Sequence, residues 1–136
     1  MNGSEQLVLS DSDESKPLRA LSVLIVDDDG DFLETLEPIL EAEGFRVHTT
    51  STVRDATRAL TELDFDVVVT DLALGATGGL AFCETIARTR PELPVIVLTG
   101  YGDAKGAAIR LGARRVLTKP IAVKTLIGAL REVVSA

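Results

Sequence analysis

The stretch Val23-Leu24-Ile25-Val26-Asp27-Asp28-Asp29 changes character halfway: four apolar residues end abruptly on three carboxylates. An apolar run this short, closed by charge, reads as a strand buried on both faces, and such strands belong to parallel sheets covered by helices on either side. Immediately downstream, Phe32, Leu33, Leu36, Ile39 and Leu40 recur at helical spacing, ahead of Gly44 as a stop. The unit is therefore strand, acidic loop, helix. Pro38 falls inside that helix, removes one backbone hydrogen bond and is expected to kink it.

The same alternation continues outward. Apolar runs at Val47–Thr50, Val67–Thr70, Val95–Thr99 and Val116–Thr118 follow, separated by segments of helical periodicity. Thr52 with Asp55 resembles a capping box opening a second helix towards Leu63. Leu80, Phe82, Cys83, Ile86 and Ala87 define a third, which ends before Pro91, and a short fourth runs from about Asp103 to Leu111. Val123, Leu126, Ile127, Leu130 and Val133 or Val134 face inward on the last, where Gly128 is the weak position. Five strands alternating with five helices imply an open, doubly wound parallel sheet, with ligands bound at the carboxyl ends of its strands.

Composition narrows the functional classes. The chain has 136 residues, the size of one domain, with 46% hydrophobic and 26% charged residues and no apolar run of membrane-spanning length. A formal charge of −7 argues against a nucleic-acid surface, because phosphate backbones are bound by clustered Lys and Arg. A single cysteine, Cys83, cannot form an internal disulfide, and no secretory signal opens the chain, so a cytoplasmic location is expected. Residues 1–19, rich in Ser, Asp and Glu, read as a disordered acidic tail, leaving 20–136 as the folded domain.

On this fold Asp27-Asp28-Asp29 closes the first strand, Asp71 the third and Thr99 the fourth, while Lys119-Pro120 follows the fifth. An acidic residue between a strand and a helix often does no more than cap the helix. Carboxylates converging from two strand ends repel one another unless a cation neutralises them, and hard oxygen donors suit Mg²⁺. A carboxylate can accept a phosphoryl group, with a lysine ammonium neutralising the transferred charge and a threonine hydroxyl donating a hydrogen bond.

Together with Phe65-Asp66-Val67-Val68-Val69-Thr70-Asp71 and Pro94-Val95-Ile96-Val97-Leu98-Thr99-Gly100, these residues resemble the signature of response regulator receiver domains of two-component systems, over about Ser22 to Val134. The resemblance implies a flavodoxin-like five-stranded sheet of order 2-1-3-4-5. It implies that Asp71 is phosphorylated from a sensor histidine kinase or phosphotransfer protein, and that Mg²⁺ is bound by Asp28, Asp71 and the Ala73 carbonyl, with Asp27 acting through water. Lys119 would contact the phosphoryl group, through a cis Lys119–Pro120 peptide. Thr99 would carry the signal to a downstream protein at the face of the fourth helix, fifth strand and fifth helix. A signalling domain of this kind catalyses its own phosphotransfer and dephosphorylation, and acts as a monomer or weak dimer. Because the chain stops at the last helix, no DNA-binding or enzymatic output is expected on it.

Three features depart from the family. Val116 stands where many receivers carry a switching aromatic, with Tyr101 as a substitute at the rim. Gly75 and Gly78 stand in a loop where proline and a polar residue are usual, and the fourth helix is short. Val116 and the glycine loop favour the alternative of a receiver-fold interaction module not regulated by phosphorylation. A hydrolase using Asp27 and Asp29 is disfavoured because it leaves Asp71 without a role. His48 reads as a solvent-edge residue and Cys83 as core.

Overall fold

The computed structural model describes residues 20–74, 78–100 and 105–135. The expected acidic tail, Gly75, Tyr101 and Asp103 lie outside them. Strands β1 (Ser22–Val26), β2 (Arg46–Thr50), β3 (Val67–Asp71), β4 (Val95–Thr99) and β5 (Arg115–Thr118) alternate with helices α1 (Gly30–Ala42), α2 (Val53–Glu62), α3 (Gly78–Thr89), α4 (Lys105–Arg110) and α5 (Val123–Ser135). All strand pairs are parallel, in the order β2-β1-β3-β4-β5. This is the doubly wound sheet that the alternation of runs and stripes predicts, in the flavodoxin-like order that the family resemblance implies.

The central strands β1, β3 and β4 are buried at every residue, which requires helices on both faces. Successive side chains on β1 divide between two cores, as strand geometry dictates. Val23 and Ile25 join Leu33, Leu36 and Leu40 of α1 and Leu126 and Leu130 of α5. Leu24 and Val26 join Ala56 and Leu60 of α2 and Phe82, Cys83 and Ile86 of α3. The edge strand β2 exposes Arg46 and His48, and the His48 ring lies 6.0 Å from that of Phe65, matching the solvent-edge reading.

One detail of α1 corrects the sequence reading. Ile39, placed in the inward stripe, is 39% exposed. Pro38 beside it is also exposed, and the helix assignment continues through it from Gly30 to Ala42. Gly44 follows with φ +97°, the left-handed stop expected of it. Thr52 caps α2 by accepting from the Asp55 N–H at 3.0 Å. Among the described residues helix α4 covers Lys105–Arg110, inside the span expected for the fourth helix. No helix among the described residues is long and apolar enough to cross a membrane.

Candidate functional site

The carboxyl edge of the sheet is extended by backbone hydrogen bonds that place the polar residues. Asp27 N–H donates to Thr50 O (3.1 Å), Leu72 N–H to Leu98 O (2.9 Å) and Lys119 N–H to Thr99 O (2.8 Å). Each residue just past a strand is thus still held by the neighbouring strand. Gly79 fixes the helix after β3 in the same region: a Cβ there would lie 2.3 Å from Asp71 O and 2.7 Å from Leu72 Cα, so only glycine lets α3 pack onto the strand end that carries Asp71.

The three acidic residues after β1 separate by role. Asp29 is the N-cap of α1, its Oδ1 accepting from Phe32 N–H at 3.2 Å. For this residue the capping reading holds. Asp27 is fully buried, and both its oxygens are engaged: Oδ1 accepts from Asp29 N–H and Oδ2 from Lys119 Nζ, each at 2.9 Å. Asp28 is exposed.

Asp71 is 7% exposed, and its Oδ1 accepts from Ala73 N–H at 3.3 Å while its Oδ2 lies 3.6 Å from Lys119 Nζ. Ligand oxygens of Asp27, Asp28 and Asp71 all lie within 4.8 Å of one another. Burial, with the charge of Asp27, pushes the Asp71 carboxyl above its ordinary range, against the opposing pull of Lys119 and the Ala73 N–H. Burial alone would lower the Lys119 ammonium, but the hydrogen bond to Asp27 and the charges of Asp27 and Asp71 outweigh it and hold the group above its ordinary value. Three carboxylates face one ammonium, a donor set of hard oxygens with surplus negative charge that fits a divalent cation.

Thr99 is buried at the end of β4, opposite Thr118 in the register and tied through its carbonyl to Lys119. Ala73 is brought in by its backbone N–H. The cis peptide at Lys119–Pro120 is present as expected. One residue of the site was not anticipated. The Phe32 ring, which the helical stripe assigns only to packing, lies with its centroid 5.2 Å from Lys119 Nζ. Its place in the first turn after the acidic loop is the signal that could have marked it.

The fold and this edge define a class: doubly wound α/β domains with an acidic cluster and a lysine at the carboxyl ends of the strands. Residues 23–131 match the family model of the response regulator receiver domain, and the chain belongs to that family of two-component signalling domains. It is 39% identical over 111 residues to the acid tolerance regulatory protein ActR of Sinorhizobium medicae, covering 80% of this chain and 57% of that protein. It is 37% identical over 117 residues to the C4-dicarboxylate transport transcriptional regulatory protein DctD of Rhizobium meliloti, covering 82% of this chain and 25% of that one. The chain thus spans between a quarter and somewhat over half of these curated relatives. Among solved structures, the beryllofluoride-activated NtrC4 receiver domain dimer superposes with TM-score 0.79 at 34% identity, over 84% of this chain and 96% of that one. A CheY-like receiver domain protein from Methanospirillum hungatei superposes with TM-score 0.81 at 26% identity, over 86% and 95%.

Proposed function

We propose that this chain is a phosphoacceptor: Asp71 takes a phosphoryl group from the phosphohistidine of a sensor histidine kinase or phosphotransfer protein. The observation that carries the reading is the placement of the buried Asp71 carboxylate within 4.8 Å of the Asp27 and Asp28 ligand oxygens and 3.6 Å from Lys119 Nζ. A nucleophile, an acidic cation cradle and a neutralising ammonium stand together, at the strand ends where such sheets bind ligands. A similar receiver domain binds beryllofluoride, which supports the same chemistry here.

In the reaction an Asp71 oxygen bonds to phosphorus as the phosphorus–nitrogen bond to the donor imidazole breaks, and the departing electron pair stays on that nitrogen. Lys119 neutralises charge on the transferring oxygens, and the Thr99 hydroxyl donates to one of them. Asp27, Asp28, Asp71 and the Ala73 carbonyl would hold Mg²⁺, which supplies further charge neutralisation when bound. Burial and the charge of Asp27 disfavour Asp71 as an anion, and the acyl phosphate adds negative charge at the same place, which is why the reaction needs Lys119 and a cation to neutralise it. The domain comprises 20–136 behind a tail of 1–19, works in the cytoplasm as a monomer or weak dimer, and signals to a protein partner through α4, β5 and α5.

The reading is tested by intact-mass spectrometry after incubation with acetyl phosphate and Mg²⁺, comparing wild type, Asp71→Asn and a chelated control. A phosphoryl adduct requiring both Asp71 and metal is expected. Absence of any adduct, together with no beryllofluoride binding, would sink it in favour of an interaction module. Val116, half-buried against the core where many receivers carry an aromatic, is the observation that favours that second reading.

A further inference from the structure

Four residues of this edge close on themselves. Asp27 Oδ1 accepts from the Asp29 backbone N–H (2.9 Å), the Asp29 carboxylate accepts from the Phe32 N–H (3.2 Å), the Phe32 ring faces Lys119 Nζ (5.2 Å), and Lys119 Nζ donates to Asp27 Oδ2 (2.9 Å). The lysine is therefore held from two sides, by a fully buried carboxylate and by an aromatic face that is fixed through the helix cap. A long, flexible lysine stem has many rotamers, and an ammonium that wanders into water is a poor neutraliser of a transferring group. An aromatic face attracts the ammonium without accepting a hydrogen bond from it, so all three of its N–H donors remain available to oxygen partners.

We propose that Phe32 is a positioning residue for phosphoryl transfer, its ring holding the Lys119 ammonium beside Asp71; this rests on the phosphoacceptor reading above. The Phe32 ring acts on the site through the Lys119 ammonium, so its contribution falls on the phosphoryl group and not on the metal. The Asp29 cap acts through it: the hydrogen bond to the Phe32 N–H sets where the ring stands relative to the strand ends.

The test uses Mg²⁺ alone and Mg²⁺ with beryllofluoride as probes, followed by NMR on the full chain as wild type, Phe32→Leu and Phe32→Tyr. Phe32→Leu is expected to weaken beryllofluoride binding by about two- to fivefold, with Mg²⁺ affinity unchanged, and Phe32→Tyr, which restores the aromatic face, to recover wild-type affinity. A role in packing alone predicts instead equal beryllofluoride affinity in Phe32→Leu, or parallel loss of Mg²⁺ and beryllofluoride binding that Phe32→Tyr does not rescue. Either result overturns the proposal. Should Phe32→Leu fail to fold, the metal-free wild type still decides: Lys119 Hε protons shifted upfield by the ring current support it, and ordinary lysine shifts refute it. Failure of the phosphoacceptor reading is distinguishable, since the wild type itself would then bind no beryllofluoride, and the positioning role would fall with it.

Discussion

Asp71→Asn is expected to stabilise the metal-free chain at pH 7, and to lose that advantage when Mg²⁺ is added. In the wild type the nearly buried Asp71 carboxylate has ligand oxygens of Asp27 and Asp28 within 4.8 Å and the Lys119 ammonium at 3.6 Å. At an effective dielectric constant of ~20, each like-charge pair costs about 3.5 kcal/mol and the lysine returns about 4.6 kcal/mol. The repulsion from Asp28 is discounted because that side chain is exposed and screened, while burial of Asp71 adds a penalty of its own. These opposing terms leave a net cost of about 1 kcal/mol, equivalent to roughly 4 °C in Tm for a domain of this size.

The pH dependence has a definite sign. The folded-state pKa of Asp71 is raised above its ordinary value of 3.8, so the folded chain holds that proton more tightly than the unfolded chain does. The cost of ionising Asp71 is complete above the folded-state pKa and absent below the unfolded one, so the stability gap between variant and wild type is constant below pH 7 until the folded-state pKa is reached, and closes as pH falls from there through 3.8. Mg²⁺ at ten times its Kd adds about 1.4 kcal/mol to whichever form binds it, and the variant has lost one of three carboxylates. Thermal unfolding followed by circular dichroism, at pH 7 in chelator and in Mg²⁺ and again in chelator below pH 3.8, measures each arm. A variant that melts below the wild type in chelator, or a Mg²⁺ shift of equal size in both, would refute the charge argument.

Gly79→Ala is expected to destabilise by about 3 kcal/mol, since the added methyl meets backbone atoms of Asp71 and Leu72 that no side-chain rotation can clear. Chemical denaturation checks it, and a loss under about 0.5 kcal/mol, the scale of a neutral surface change, would show that α3 can slide away. The Cys83 thiol, pushed up to about 11 by burial and 1% exposed, is expected to resist alkylation in the folded chain and to react only on unfolding. Labelling at the rate of a free thiol in native buffer would contradict the core assignment.

The sheet was legible because its three central strands are short, rich in Val and Ile, and each closed by a polar residue, and length and β-branched content are what separate such a run from a buried helix. The less certain parts lay at the margins. Ile39 fits the helical stripe by spacing, yet α1 packs on the sheet through Leu33, Leu36 and Leu40. A stripe of five apolar residues is wider than the contact line of a helix on a sheet, and periodicity cannot say which member falls off its edge.

For the site, residue type and strand order located Asp27, Asp28, Asp71, Thr99 and Lys119, because a doubly wound sheet delivers every strand's end to one edge. What residue type could not supply was the partition among the three acidic residues after β1. Asp29 spends its carboxylate on the helix cap, Asp27 spends both oxygens on Asp29 and Lys119, and only the geometry distinguishes them. Phe32 escaped for a related reason. An aromatic residue in an amphipathic stripe is explained by burial alone, and its second use, as a face for a cation arriving from 87 positions downstream, depends on a contact that exists only after β5 has joined the sheet. The same contact makes the lysine's position a property of two distant segments at once. Loosening either the cap at Asp29 or the ring at Phe32 should therefore be felt at Lys119, while Asp27 keeps its own backbone anchor at Thr50 and Asp71 is held at the end of β3 by the bond from the next residue, Leu72, to Leu98.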